Sequence, residues 1–152
     1  MASDQNTALQ IVCPACAAVN RVPAARLGDR PICGKCRKLL AGGEPVTGSD
    51  ANFGRFIERS DLPVVVDFWA PWCGPCVQFA PVFSAAAGDM ATRAVFLKLD
   101  TESNPQTAAR FQIRSIPTLM VFHRGRELGR LAGALPPQQF RQWLDQQLPA
   151  AS

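Results

Sequence analysis

Apolar residues fall in short, sharply bounded runs after residue 50 and are scattered before it. Phe53, Phe56 and Ile57 recur at helical spacing and predict a helix over Asp50–Ser60, with Ser49 or Asp50 as its N-cap. Pro63 ends that region, and Val64–Trp69 is a nearly continuous apolar run of the kind a buried central strand shows. A second helix is expected from about Pro75, carrying Val77, Phe79, Ala80 and Phe83, with Pro81 predicting a kink. Ala94–Leu99 reads as another buried strand. Asn104-Pro105 starts a short helix with proline at its first position, and Phe111 closes it. Thr118–Phe122 and Glu127–Ala132 read as two strands joined by a turn at Arg124-Gly125. Pro136-Pro137 opens a last helix whose apolar face is Phe140, Trp143, Leu144 and Leu148. This order predicts an α/β layered fold: a mixed sheet with parallel crossovers and a terminal antiparallel hairpin.

The first 45 residues have a different texture. Ile11-Val12, Pro31-Ile32 and Leu39-Leu40 are too little apolar matter to fold so short a unit, so it needs a staple. Gly42-Gly43-Glu44-Pro45 reads as a linker. The expected division is therefore a small unit with its linker over 1–45 and a larger domain over 46–152. A chain of 152 residues that is 47% hydrophobic and has no repeat is not collagen, coiled coil or wholesale disorder. No run approaches the ~18 apolar residues of a membrane span, and no basic-then-apolar leader is visible. A cytoplasmic location without membrane partners is the expectation. The net charge is +4. Six basic residues face three acidic ones before position 46, and ten face nine after it. With no long basic run and few aromatics among those cations, no nucleic-acid partner is expected.

Six cysteines form three C-x-x-C pairs: Cys13/Cys16, Cys33/Cys36 and Cys73/Cys76. In a reducing compartment, close pairs read as metal binding or redox catalysis. A bare C-x-x-C also occurs in zinc knuckles, so position decides between the two. Cys73 lies between the central strand and the next helix, where free N–H groups and the helix dipole favour an anion. That lowers the thiol pKa and supplies a nucleophilic thiolate. Cys73 is then the exposed attacking sulfur. Cys76, one turn inside, resolves the mixed disulfide.

The stretch DFWAPWCGPC (67–76), then SIPT (115–118), then Gly125 and Gly133, resembles thioredoxin over roughly residues 46–150. The resemblance implies a thioredoxin fold, a central sheet flanked by helices. It also implies a protein-disulfide reductase that binds no organic cofactor and is recycled by an NADPH-dependent thioredoxin reductase. Gly74-Pro75 matches the reducing members of the family. Asp67 matches the buried acid that takes the proton from the second cysteine, here Cys76. A carboxylate inside an apolar strand should also have a raised pKa from desolvation. The plainer reading is a carboxylate paired with a nearby lysine, and Lys98 matches the family lysine that partners this acid. Ile116-Pro117-Thr118 resembles the family's cis-proline loop. There Pro117 leaves the backbone of Ile116 free to pair with an extended substrate. Trp72 reads as a surface lid, Trp69 as a residue beneath the site or in the core, and Gly74, Gly125 and Gly133 as turn or close-approach glycines. Gly133 with Ala132 resembles part of the family's docking groove. Pro81 resembles its kink proline. His123 reads as a solvated surface residue. Val77 departs from the basic residue many thioredoxins carry there.

Cys13-x2-Cys16-x16-Cys33-x2-Cys36 has zinc-ribbon spacing. Two knuckles aiming four sulfurs at one point make a closed tetrahedral site for one zinc ion, and the metal supplies the folding energy the unit lacks. Two local disulfides or a [2Fe–2S] centre also satisfy the spacing. A ribbon ahead of a thioredoxin domain resembles the zinc-containing second thioredoxin of many bacteria. The ribbon is expected to be structural or to respond to redox state. Two other function classes compete with the reductase: a binding module in which the ribbon recognises protein or nucleic acid, and a chaperone that exposes apolar surface on zinc loss. No dimer surface is evident, so a monomer is expected.

Overall fold

A computed structural model describes residues 7–149. Its larger part is a five-stranded sheet in the order β3-β5-β4-β6-β7. These strands are β3 (Val46–Thr47), β4 (Val64–Trp69), β5 (Val95–Asp100), β6 (Thr118–His123) and β7 (Arg126–Ala132). β4 pairs parallel with β5 and antiparallel with β6, and β6 and β7 form the terminal hairpin. The helices are α1 (Phe53–Arg59), α2 (Gly74–Asp89), α3 (Pro105–Arg110) and α4 (Pro137–Gln147). The thioredoxin-fold expectation holds, and within this sheet β3, only two residues long, is a strand that patterning did not predict.

Alternation along the strands builds two cores. Val65, Phe96, Leu119 and Val121 face α2 and α4, where Phe79, Phe83, Phe140 and Leu144 meet them. Val64, Val66, Phe68, Leu97, Leu99 and Met120 face the other side, with Phe53, Phe56 and Ile57 of α1. β4 reads as an unbroken apolar run because helices cover both of its faces. α2 continues through Pro81. α3 has the expected bounds, with Asn104 before it and Phe111 after it.

The regular part of α1 starts at Phe53, and of the two expected caps Ser49 does the capping: its hydroxyl accepts the Asn52 amide, its carbonyl accepts the Phe53 amide, and its own amide donates to Asn52 Oδ1. Asp50 points elsewhere. Its carboxylate accepts the Gln106 and Thr107 amides and the Thr107 hydroxyl, capping α3 across a separation of 56 and 57 residues. Those hydrogen bonds, the Thr107 hydroxyl foremost, hold its pKa below the usual carboxylate range.

The small N-terminal unit is a hairpin of β1 (Ala8–Val12) and β2 (Val19–Pro23), a 3-10 turn (Ala24–Asp29), and a second knuckle closed by an Ile32–Leu39 bridge. It sits on the larger part rather than hanging from it. Gln10 and Asp61 exchange two backbone-directed hydrogen bonds, the Gln10 amide to the Asp61 carboxylate (2.7 Å) and the Asp61 amide to the Gln10 carbonyl (2.9 Å). Arg55 donates to the Ala17 carbonyl at 3.0 Å. Leu62 joins the ribbon core of Ile11, Val22, Leu27 and Leu40, while Val12 joins the α1 core. Within the segment Gly42–Pro45, read as a linker, Gly42 and Glu44 are exposed but Gly43 rests on α2: a Cβ on Gly43, whose φ is +82°, would sit 3.3 Å from the Gly88 Cα.

Candidate functional site

The end of β4 delivers the chain to Cys73, which is the N-cap of α2. Cys73 and Cys76 are joined by a disulfide with Cα atoms 5.2 Å apart. The Cys76 amide donates to the Cys73 sulfur at 3.2 Å. One of the first N–H groups of α2, which has no carbonyl partner in a helix, thus points at Cys73. Cys73 is less open than expected: it is only 6% exposed, against 1% for Cys76. The exposed surface at the site belongs instead to its neighbours Trp72 and Val77, 67% and 53% exposed. Gly74 and Pro75 are exposed beside them. Gly74 is neither a turn nor a close-approach glycine, since an added Cβ meets nothing within 4 Å and its φ is not left-handed.

Opposite the disulfide lies the 115–118 loop. The Ile116–Pro117 peptide is cis. The Ile116 carbonyl is 3.8 Å from the Cys73 sulfur. The Thr118 hydroxyl holds the Ser115 carbonyl (2.6 Å), and the Gly133 amide holds the Pro117 carbonyl (2.8 Å). Gly133 has φ +122°, which only glycine adopts without strain, so its identity follows from the backbone turn after β7.

Asp67 is fully buried on the sheet face that α2 covers, and neither carboxylate oxygen has a hydrogen-bond partner. Desolvation pushes its pKa up to about 7, and the nearby positive charge of Lys98 opposes that rise. Lys98 stands directly opposite Asp67 on β5, yet it forms no ion pair among the described residues. Its ammonium lies 4.3 Å from the centre of the Trp69 ring. Trp69, half-buried, is therefore a partner of the lysine rather than plain core. His123 also departs from the surface reading: it is half-buried, and Nε2 is 3.1 Å from the Asp61 carbonyl oxygen.

The other four cysteines converge. Their sulfurs all lie within 4.8 Å of one another, and no disulfide joins them. Two close pairs cross between knuckles: Cys13 to Cys36 at 3.5 Å and Cys16 to Cys33 at 3.6 Å. A tetrahedral zinc with bonds of about 2.3 Å sets its ligands roughly 3.8 Å apart, so this donor set fits that ion. All four cysteines are free thiols here. The two turns are built alike. Residue Cys+4 (Ala17, Arg37) is left-handed in each, and its amide donates to the first cysteine's carbonyl. The Cys36 amide, the Asn20 side chain and the Lys35 amide surround Cys33 and lower its pKa to about 6, while burial raises Cys13 to about 11. Asn20, which the motif spacing did not reveal, ties the ribbon together. Nδ2 donates to the Cys33 sulfur (3.5 Å), and Oδ1 accepts the Gly34 amide (2.9 Å).

The ribbon meets the larger part at Asp61 and Leu62, before β4, at the start of β5, and on α1. The disulfide follows the other end of β4. Six strand residues separate the two ends, roughly 20 Å.

Comparison with known proteins agrees with this layout. The thioredoxin family profile matches residues 44–146, and the profile described as "Thioredoxin 2, N-terminal", a zinc ribbon, matches residues 12–38. The chain is 48% identical over 138 residues to "Thioredoxin C-3" of Corynebacterium nephridii, covering 91% of this chain and 94% of that one. It is 38% identical to "Thioredoxin M-type, chloroplastic" of Chlamydomonas reinhardtii, over 84% of this chain and 93% of the relative. It is 40% identical to "Thioredoxin 2" of Chlorobaculum tepidum, over 70% and 97%.

Proposed function

Since this chain belongs to the thioredoxin family, a family of protein-disulfide reductases, we propose that it reduces protein disulfides through the Cys73-Gly74-Pro75-Cys76 motif. The observation that carries this reading is the Cys73–Cys76 disulfide at the N-terminus of α2, with the Ile116 carbonyl beside it. In the reduced protein the Cys73 thiolate, stabilised by the Cys76 amide and the helix dipole, attacks one sulfur of a target disulfide. A mixed disulfide forms and one target thiolate leaves. Cys76 then gives its proton to Asp67, and its sulfur attacks Cys73, releasing the second target thiolate and closing the disulfide. Two electrons pass to the target. An NADPH-dependent thioredoxin reductase returns them.

The remaining residues take supporting roles in this reading. Ile116 offers its backbone to an extended target segment next to Pro117. Trp72, Gly74, Pro75 and Gly133 form the surrounding contact surface, and Lys98 sets the field at Asp67. Cys13, Cys16, Cys33 and Cys36 would hold one zinc ion, which when bound cross-links the ribbon and supplies no reaction step. We assign the ribbon with its linker to residues 1–45 and the reductase unit to 46–152, a division the matched spans support. No described helix is long and apolar enough to cross a membrane. A monomer acting in the cytoplasm on protein substrates, without nucleic acid, fits the near-neutral charge of the reductase unit.

Insulin reduction with dithiothreitol tests the reading. Cys73→Ser is expected to lose activity at least about a hundredfold. Equal activity of the two proteins would overturn the assignment of Cys73.

A further inference from the structure

Four polar or polarisable residues share the sheet face under α2 near the ends of β4 and β5. Asp67 and Trp69 lie two residues apart on β4, so their side chains emerge on the same face. Lys98 of β5 is in register with Asp67, and Asp100 with Trp69. A lysine placed like this has three possible partners. Asp100 is occupied by its own turn, accepting the amides of Glu102 and Ser103 and the Ser103 hydroxyl. Asp67 is directly across the ladder with both oxygens unpartnered. Lys98 takes neither carboxylate, and its ammonium lies over the Trp69 ring. The other neighbours of Asp67 add no charge: on β6 the opposing residue is Leu119, and on α2 the sulfurs are bonded to each other.

We propose that Trp69 is a positioning residue: by holding the Lys98 ammonium over its ring, it keeps the lysine from pairing with Asp67 and leaves that carboxyl free to exchange a proton. The physical basis is a competition. The face of an indole attracts a cation, the more so where water is partly excluded. A direct ion pair would fix Asp67 as a carboxylate and spoil it as a proton acceptor matched to neutral pH. The partial positive field that remains moderates the desolvation of Asp67 without neutralising it. This inference rests on the proton-transfer role assigned to Asp67 above, but its first readout does not.

That readout is the carbon-13 titration of the Asp67 carboxyl in the oxidised protein, where Cys73 and Cys76 do not titrate, assigned with Asp67→Asn. Trp69→Leu frees Lys98 to reach Asp67, so the midpoint should fall by about one pH unit or more, tenfold in acidity. Trp69→Phe keeps the space filled and offers a weaker ring, so it should give a smaller fall. Lys98→Met should raise the midpoint, and adding either Trp69 substitution to it should change nothing further. A midpoint unmoved in both Trp69 variants overturns the proposal. So does an equal fall in the Lys98→Met background, because water entering the gap would then be the cause. If Trp69→Leu does not fold, the Trp69→Phe pair alone decides by the same criterion. The pH profile of insulin reduction is the second readout. A carboxyl that moves as expected under an unmoved profile would leave the positioning role intact and remove Asp67 as the proton acceptor.

Discussion

A carboxyl buried without partners makes stability fall as pH rises. Asp67 has its pKa raised from 3.8 to about 7 by desolvation, so between those values the native state holds a proton that the unfolded state has released. The stability this group allows is full below about pH 4 and is lost as pH climbs to about 7. The penalty above that is roughly 4 kcal/mol. Asp67→Asn should therefore make the protein more stable than wild type at pH 8, by a few kcal/mol at most. The advantage should shrink to near zero at pH 4. Denaturant melts at the two pH values check this. The same variant should reduce insulin more slowly at pH 7, because Cys76 loses its proton acceptor; equal rates would count against that role. The reactive motif and this acid were both legible in the sequence, from the helix-start position of the cysteines and from a charge inside an apolar run. The lysine's choice of Trp69 over Asp67 was not, because register alone places it opposite the acid.

Local patterning located the elements well where burial is two-sided or proline marks an edge, as in β4, α3 and α4. It failed where an element is closed by distant partners. Asp50 looked like the cap of the helix that follows it and instead caps α3. Asp50→Ala should leave α1 intact and speed amide exchange at Gln106 and Thr107, on the order of tenfold. Acidification should likewise lower the protection factors of these two amides in wild type, measured against their intrinsic exchange rates at each pH. A depressed carboxylate contributes stability above its unfolded pKa and loses it as pH falls, so α3 loosens as Asp50 is protonated. Exchange measured by mass spectrometry or NMR would separate the two helices. The β1–β2 hairpin escaped prediction for a related reason. Its strands are short and only partly buried, with a single polar residue (Gln10) in β1 and two adjacent ones (Asn20, Arg21) in β2, so no two-residue alternation marks them and their pairing depends on the cysteine cluster and on docking to α1.

The arrangement of the two units sets what the ribbon can influence. The ribbon docks where β4 and β5 begin and on α1, whereas the redox disulfide follows the other end of β4. Cys33→Ser should lower bound zinc from about one equivalent to near none and open the 8–40 region to limited proteolysis. Insulin reduction should stay within about twofold of wild type, as separated sites act independently. A larger loss of activity would mean that the ribbon shapes the active site. Graded peroxide separates the two expectations for the ribbon itself. Zinc released before the protein unfolds supports a redox-responsive ribbon, and zinc retained until unfolding supports a purely structural one. Gly43→Ala, which crowds Gly88 and strains a left-handed backbone, should loosen the seat of the ribbon without lowering the zinc content.

The sequence by itself determined the sheet's buried strands, the placement of Cys73 at a helix start and the four-cysteine spacing, because each depends on residues near one another in the chain. Only the tertiary structure decided that Asp50 caps α3, that Lys98 rests on Trp69, that Gly43 rests on Gly88, and that the ribbon docks on α1 and where β4 and β5 begin. Those outcomes are competitions between partners far apart in sequence. A hydrogen bond or a cation's position is settled by which groups the fold brings within a few ångströms, and spacing along the chain carries no record of that.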